Sequence, residues 1–158
     1  MSMSPLECIK LILIKFPAFK EHWLAYLDYW REPSDDDRSG TVLELTDFAQ
    51  IANGLPGIVL DLSEFADYVI GLIEKGDVDV LYLYEIFVFI EFLMLNGDED
   101  VQTATATGFL EAMLNATPER INASTYVPYL GKESVAYCKA WDEFTGSKTD
   151  GLWELWRR

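Results

Sequence analysis

The sequence predicts an all-α fold, a single-domain helical bundle of about seven helices. The chain has 158 residues, half of them apolar, which suits one domain with a sizeable core. Apolar residues recur every three or four positions along most of its length, as amphipathic helices require. Strand-like residues occur together only at 57–62 and have no evident partner strand, so a strand there is the weaker alternative.

The first two helices are predicted from Ser4 to about residue 15 and from Pro17 to about residue 30. Ser4 and Glu7 have the spacing of a capping box, and Pro5 suits the first helical position. Pro17 separates the two helices because proline lacks an amide donor. In the second helix, the residues spaced as one apolar stripe are Phe19, Trp23, Tyr26, Leu27 and Trp30.

The next segment, 32–40, is a polar acidic loop, and helix start and stop signals follow it. Asp61, Asp77 and Asp98 are predicted N-caps, because a carboxylate can accept hydrogen bonds from the first helical amides. Residues 147–158 form the C-terminal tail. The remaining helices are predicted at 41–52, 61–74, 78–95, 99–115 and 132–145.

One short pattern occurs twice, as GDVDV at 76–80 and GDEDV at 97–101. Glycine can end one helix while the first aspartate caps the next. The second copy, followed by Ala104, Ala106 and Phe109, resembles the turn and second helix of a HEAT repeat. The resemblance covers about residues 77–116 and implies an antiparallel helix pair in that part of the domain.

Carboxylates are concentrated in the middle of the chain and have almost no basic neighbours in sequence. Residues 39–119 contain fifteen carboxylates and one cation, Lys75, and so supply nearly all of the net charge of −15. Ordinary helical surfaces mix lysine with glutamate, whereas this segment repels phosphates and attracts basic proteins. We therefore expect a basic protein partner, with neither nucleic acid nor membrane as a partner.

An exposed aromatic residue, Tyr82, Trp153 or Trp156, is predicted to anchor the centre of this interface. The chain is small, acidic, helical and free of catalytic motifs, and in this it is similar to bacterial immunity proteins that neutralise toxic nucleases. That resemblance implies an inhibitor that occludes a basic toxin domain. A structural or scaffold domain is the alternative. The predicted partner-binding carboxylates are Asp67, Glu74, Asp77, Asp79, Glu99 and Asp100.

No phosphate-binding glycine loop, Cys-x-x-Cys pair or nucleophile elbow occurs in the sequence, so we expect no enzyme and no cofactor. His22 has no nucleophile at helical spacing and is interpreted as a surface or boundary residue. A metal-binding protein that uses Asp35, Asp37 and Glu44 is a third alternative. We expect no metal there, because Thr46 occupies the position of the bidentate glutamate in a calcium loop.

The most apolar segment, residues 78–95, is interpreted as a buried core helix of a cytoplasmic protein. Carboxylates such as Glu85 and Glu91 are costly inside a bilayer, which argues against a membrane span. These two residues lie about 120° apart around a helix, so they cannot form a carboxylate pair. Cys8 and Cys138 lie in apolar helical patterns, which indicates reduced, buried thiols.

Overall fold

The structure, a computed structural model, describes residues 2–30 and 57–155. Seven α-helices and no strands occur in these residues, so the predicted all-α class is confirmed. Four predicted features lie outside the described residues. They are the loop at 32–40, the helix at 41–52, the metal alternative at Asp35, Asp37 and Glu44, and the aromatic anchor Trp156.

The first two helices follow the sequence prediction. α1 is Pro5–Lys15, and Ser4 and Glu7 form the expected capping box, each side chain accepting from the other residue's amide. A 3-10 turn at Pro17–Phe19 leads into α2, Lys20–Trp30. Phe19, Trp23 and Leu27 of the predicted stripe are buried in the core.

α3 starts earlier than predicted, which changes the role of Asp61. The helix is Ile58–Lys75, and its N-cap is Gly57, with φ at 120°. Asp61 therefore lies inside the first turn, so its prediction as an N-cap is wrong, and the strand alternative for 57–62 is wrong as well. The helix ends at Gly76, whose φ of 76° is in the left-handed region that favours glycine.

α4, Val80–Asn96, is the most apolar of the long helices. Asp79 is its N-cap, since its carboxylate accepts from the Leu81 amide at 2.8 Å. The prediction that Asp77 caps this helix is therefore wrong. In the second copy of the repeat the first aspartate, Asp98, does cap the next helix, so the two copies differ in structure.

A two-residue turn joins α4 to an irregular helix that packs on both α3 and α4. Its parts are α5, Glu99–Ala104, a π-helical turn at Thr105–Leu110, and α6, Glu111–Asn115. A Cβ atom on Gly108 would lie 2.5 Å from the carbonyl oxygen of Val59 in α3, so glycine allows the two backbones to approach. The resemblance of this region to HEAT repeats stays a prediction.

α7, Lys132–Thr145, is capped by a carboxylate from α4. Glu91 accepts from the Glu133 amide at 2.7 Å and from the Ser134 amide and hydroxyl at 2.9 and 2.8 Å. These amides have no partner within their own helix. Gly131 provides the space, because a Cβ atom there would lie 2.4 Å from the Glu91 side chain. Glu91 thus fixes the start of α7 against α4.

The C-terminal tail packs on the domain through a buried carboxylate in α7. Asp142 accepts from the amide and the hydroxyl of Thr149, both at 2.8 Å, and from Trp153 Nε1 at 3.0 Å. Leu152 is fully buried. Residues 147–155 are therefore part of the folded domain rather than a free tail.

All the long helices contribute to one hydrophobic core, in which Phe65, Phe87 and Phe109 are completely or almost completely buried. Cys8 and Cys138 are buried free thiols, as predicted, and desolvation raises the pKa of each to about 12. Within 2–30 and 57–155, no helix has both the length and the apolar character needed to cross a membrane.

The capping of α7 by Glu91 can be tested by removing its carboxylate. We expect Glu91→Ala to lower the free energy of unfolding by about 2–3 kcal/mol, because three donors, two of them helix-terminal amides, lose their acceptor. Urea unfolding followed by circular dichroism measures the change. Glu85→Ala is the matched control on the same helix, and it should change stability by no more than about 0.5 kcal/mol. Equal stability of the two variants would disprove the cap.

Candidate protein-binding surface

The six predicted partner-binding carboxylates are all exposed, but they do not form one patch. Asp67 and Glu74 lie on α3, and both face Arg120. One guanidinium nitrogen is 3.8 Å from Asp67 Oδ1, and another donates to Glu74 Oε1. This contact balances part of their negative charge within the domain, so they are less available to a partner than the sequence suggests.

The other four predicted carboxylates lie at the two ends of α4. Asp77 and Asp79 precede its first residue, whereas Glu99 and Asp100 follow its last residue in the first turn of α5. Because α4 has 17 residues, each adding about 1.5 Å, its ends are about 25 Å apart. The structure therefore places exposed acidic groups at both ends of one helix.

Between these ends, α4 exposes a row of apolar side chains, with the exposed carboxylate of Glu85 beside it. Successive members are separated by 3, 4, 4 and 3 residues, which keeps them on one face of a helix. Between 41% and 62% of each side chain's surface is exposed. Several large apolar side chains exposed next to one another are typical of interaction sites. We call these residues the α4 stripe: Leu81, Tyr84, Val88, Phe92 and Leu95.

The opposite face of α4 lies in the core. The interpretation of 78–95 as a buried core helix is therefore correct for one face and wrong for the other. The helix carries apolar residues on both faces, and its neighbours within residues 2–30 and 57–155 cover only the inner one. The buried side chains of the inner face are Leu83, Ile86, Phe87, Phe89, Ile90 and Leu93.

A groove of about 510 Å³ runs between the α4 stripe and α1. Lys15 stands at its edge, with its ammonium 5.9 Å from the centre of the Phe89 ring. Glu85 also lines the groove, whereas Glu91 points to the other side of the stripe and caps α7. The apolar part of the groove consists of Leu11, Phe16, Tyr84, Val88, Phe89 and Phe92.

Two of the aromatic anchors predicted from the sequence, Tyr82 and Trp153, make contacts within the domain. The hydroxyl of Tyr82 lies 3.0 Å from that of Tyr68, and its ring packs edge-on against Phe16. Trp153 holds the C-terminal segment through Asp142. Both side chains are partly buried against the core. The α4 stripe supplies more exposed apolar surface than these two side chains, and the sequence shows it only as part of an unusually apolar helix, without indicating which face is exposed.

His22 belongs to a small polar cluster between α2 and α3. Its Nε2 atom donates to Glu64 Oε1 at 2.6 Å and lies 3.9 Å from Asp67 Oδ2. These three side chains bring candidate ligand atoms within 4.8 Å of one another, a donor set that suits a divalent cation. Arg120, 3.8 Å from Asp67, already supplies positive charge there. The hydrogen bond of His22 and the positive charge of Arg120 therefore explain why these carboxylates lie together.

Asp61 is a buried carboxyl beside this cluster, and only 3% of its surface is exposed. The Tyr26 hydroxyl donates to Asp61 Oδ1 at 3.0 Å. Burial raises the pKa of Asp61 from its ordinary value of 3.8 to about 7, although the hydrogen bond from Tyr26 acts in the opposite direction. Folding therefore favours the protonated form of this side chain.

Comparison with known proteins places the chain in a family without assigning it an activity. The model of a domain of unknown function, DUF7674, matches residues 9–146. Because the match covers most of the chain, this protein belongs to that family. No curated protein and no solved structure matches it.

The raised pKa of Asp61 predicts a specific dependence of stability on pH. Between about pH 4 and pH 7 the folded protein holds a proton that the unfolded chain has lost, so stability falls as the pH rises through this window. Asp61→Asn removes this pH-dependent loss of stability, because an asparagine side chain does not ionise. It should match the wild type below pH 4 and exceed it by up to about 4 kcal/mol at pH 8, at about 1.4 kcal/mol per pKa unit.

Urea unfolding of both proteins at several pH values measures this difference. Asp77→Asn, at an exposed position, is the control and should run parallel to the wild type. If the free energies of unfolding of Asp61→Asn and the wild type differ by the same amount at every pH from 4 to 8, the raised pKa of Asp61 is contradicted.

Proposed function

We propose that this member of the DUF7674 family is a non-enzymatic protein-binding domain whose partner is a basic protein. The observation that carries the proposal is the α4 stripe with carboxylates at both of its ends. An apolar centre with a charged periphery is the usual composition of a protein interface. In this chain the periphery is acidic, so the complementary partner has an apolar centre and basic flanks.

Charge and apolar contact have different roles in this proposal. The excess of negative charge attracts a basic partner over the Debye length, about 8 Å at physiological salt, and accelerates association. Burial of the α4 stripe supplies most of the binding free energy at about 25 cal/mol per Å² of apolar surface, before the cost of association. Salt should therefore slow association more than it accelerates dissociation.

A sharper form of the proposal is an immunity or inhibitor protein that occludes a basic toxin domain. Its support is the match between the acidic ends of α4 and the basic surface that an enzyme acting on nucleic acid needs. We place the protein in the cytoplasm, which is consistent with two buried, unpaired cysteines.

The proposal predicts that the acidic ends of α4 control association. Proteins retained by the immobilised domain at low salt are identified, and the association rate of each is measured over a range of salt concentrations. The triple variant Asp77→Lys, Glu99→Lys, Asp100→Lys leaves the helix caps Asp79 and Asp98 intact. We expect it to bind the basic partner at least tenfold more slowly at low salt, because attraction becomes repulsion.

The matched control reverses three exposed carboxylates elsewhere, in Glu119→Lys, Glu143→Lys, Glu154→Lys, and changes the net charge equally. This variant should keep most of the association rate. An equal decrease in both triple variants would show that only net charge matters. Retention of neutral proteins alone, without salt dependence, would favour a scaffold domain and contradict the proposal.

A further inference from the structure

The groove between α1 and α4 offers a partner apolar side chains but few backbone hydrogen-bonding groups. Most of each wall is α-helix, whose N–H and C=O groups are bonded within the helix, and the exception is the C-terminal end of α1 at Lys15 and Phe16. A partner backbone that enters the groove loses water without gaining main-chain partners from the walls. An unpaired buried amide or carbonyl costs about 1–3 kcal/mol.

A segment bound in this groove must therefore satisfy its own backbone. An α-helix does so, because its amides and carbonyls bond to each other. An extended peptide is stabilised by adding to the edge of a sheet, and residues 2–30 and 57–155 contain no strand. The chemistry of the walls thus selects a helix over an extended segment.

The spacing of the α4 stripe also fits a helix. From Leu81 to Leu95 the stripe spans 14 helical steps of about 1.5 Å each, or about 21 Å. Side chains at intervals of three and four residues form ridges on a helix surface. The side chains of a second helix can pack into the grooves between these ridges. A partner helix of about 14 residues would cover the row from end to end.

The charges at the ends of α4 argue against a second copy of this chain as the occupant. Asp77 and Asp79 lie at one end, and Glu99 and Asp100 at the other. Two copies that pair through their stripes place acidic groups against acidic groups, whether the helices run parallel or antiparallel. A foreign helix with lysine or arginine at both ends avoids this repulsion in either direction.

We propose that the groove between α1 and α4 binds an amphipathic α-helix of a partner protein, with apolar residues facing the stripe and basic residues at both ends. This inference rests on the proposed function and names the form of the partner segment. The helix lies along α4, and its basic ends meet the carboxylates about 25 Å apart.

Three synthetic 18-residue peptides test the inference. The first has leucines at intervals of three and four and lysines at both ends. The second has the same composition in an order that gives no apolar face. The third is the first with two central residues changed to proline, which breaks the helix. Calorimetry measures binding to the intact domain, and circular dichroism measures helix gained on binding.

Two chain variants locate the site. Val88→Glu places a charge in the α4 stripe, and Val59→Glu is its matched control at a similarly exposed valine of α3. We expect the first peptide to bind the wild type and Val59→Glu with equal affinity and with a gain of helix. Its affinity for Val88→Glu should fall at least tenfold, and the second and third peptides should bind at least tenfold more weakly than the first.

Three outcomes would overturn the inference. They are no binding of the first peptide, equal binding of the proline peptide, and equal binding to Val88→Glu. Sedimentation showing a dimer that Val88→Glu dissociates would assign the groove to a second copy and would also overturn it. If the triple lysine variant at Asp77, Glu99 and Asp100 still slows association of the native basic partner, the proposed function stands and only the helical form of the bound segment is wrong. If it does not, the proposed function itself fails.

Discussion

The whole arrangement depends on one helix, α4, that carries apolar residues on its inner and outer faces, of which the described residues bury only the inner one. Its inner face anchors the core, and its Glu91 carboxylate fixes α7 by capping that helix from outside. The consecutive helical segment beyond Asp98 packs back against both α3 and α4. Within residues 2–30 and 57–155, these neighbours leave the outer face from Leu81 to Leu95 exposed.

Folding does not require that outer face to be apolar. A solvent-facing helix surface is normally polar, and lysine or glutamate there would preserve the helix while avoiding apolar exposure. In the proposed function, binding a partner gives the α4 stripe a physical reason, and the carboxylates at its two ends set the charge of the partner that would fit. Asp67 and Glu74 are also acidic and exposed, but Arg120 already faces both.

Local signals predicted much of the fold. The capping box of Ser4 and Glu7 and the closing glycine of α7, Gly146, depend on residues a few positions apart and can be read directly from the sequence. Asp61 was assigned wrongly because tertiary contact with Tyr26, 35 residues away, buries it inside a helix that starts earlier. The acidic character of the site was visible in the sequence. The stripe was not, because exposure of α4 depends on which neighbours pack against it.

Site-specific photocrosslinking tests the central claim, that the outer face of α4 is the binding surface. A photoreactive amino acid replaces Val88 in the stripe or, as a comparison, the exposed Phe144 on α7. Both proteins are expressed in the native cell and irradiated. The account predicts that position 88 captures a basic protein and position 144 does not. Capture of that protein from position 144 alone would show that the partner binds elsewhere.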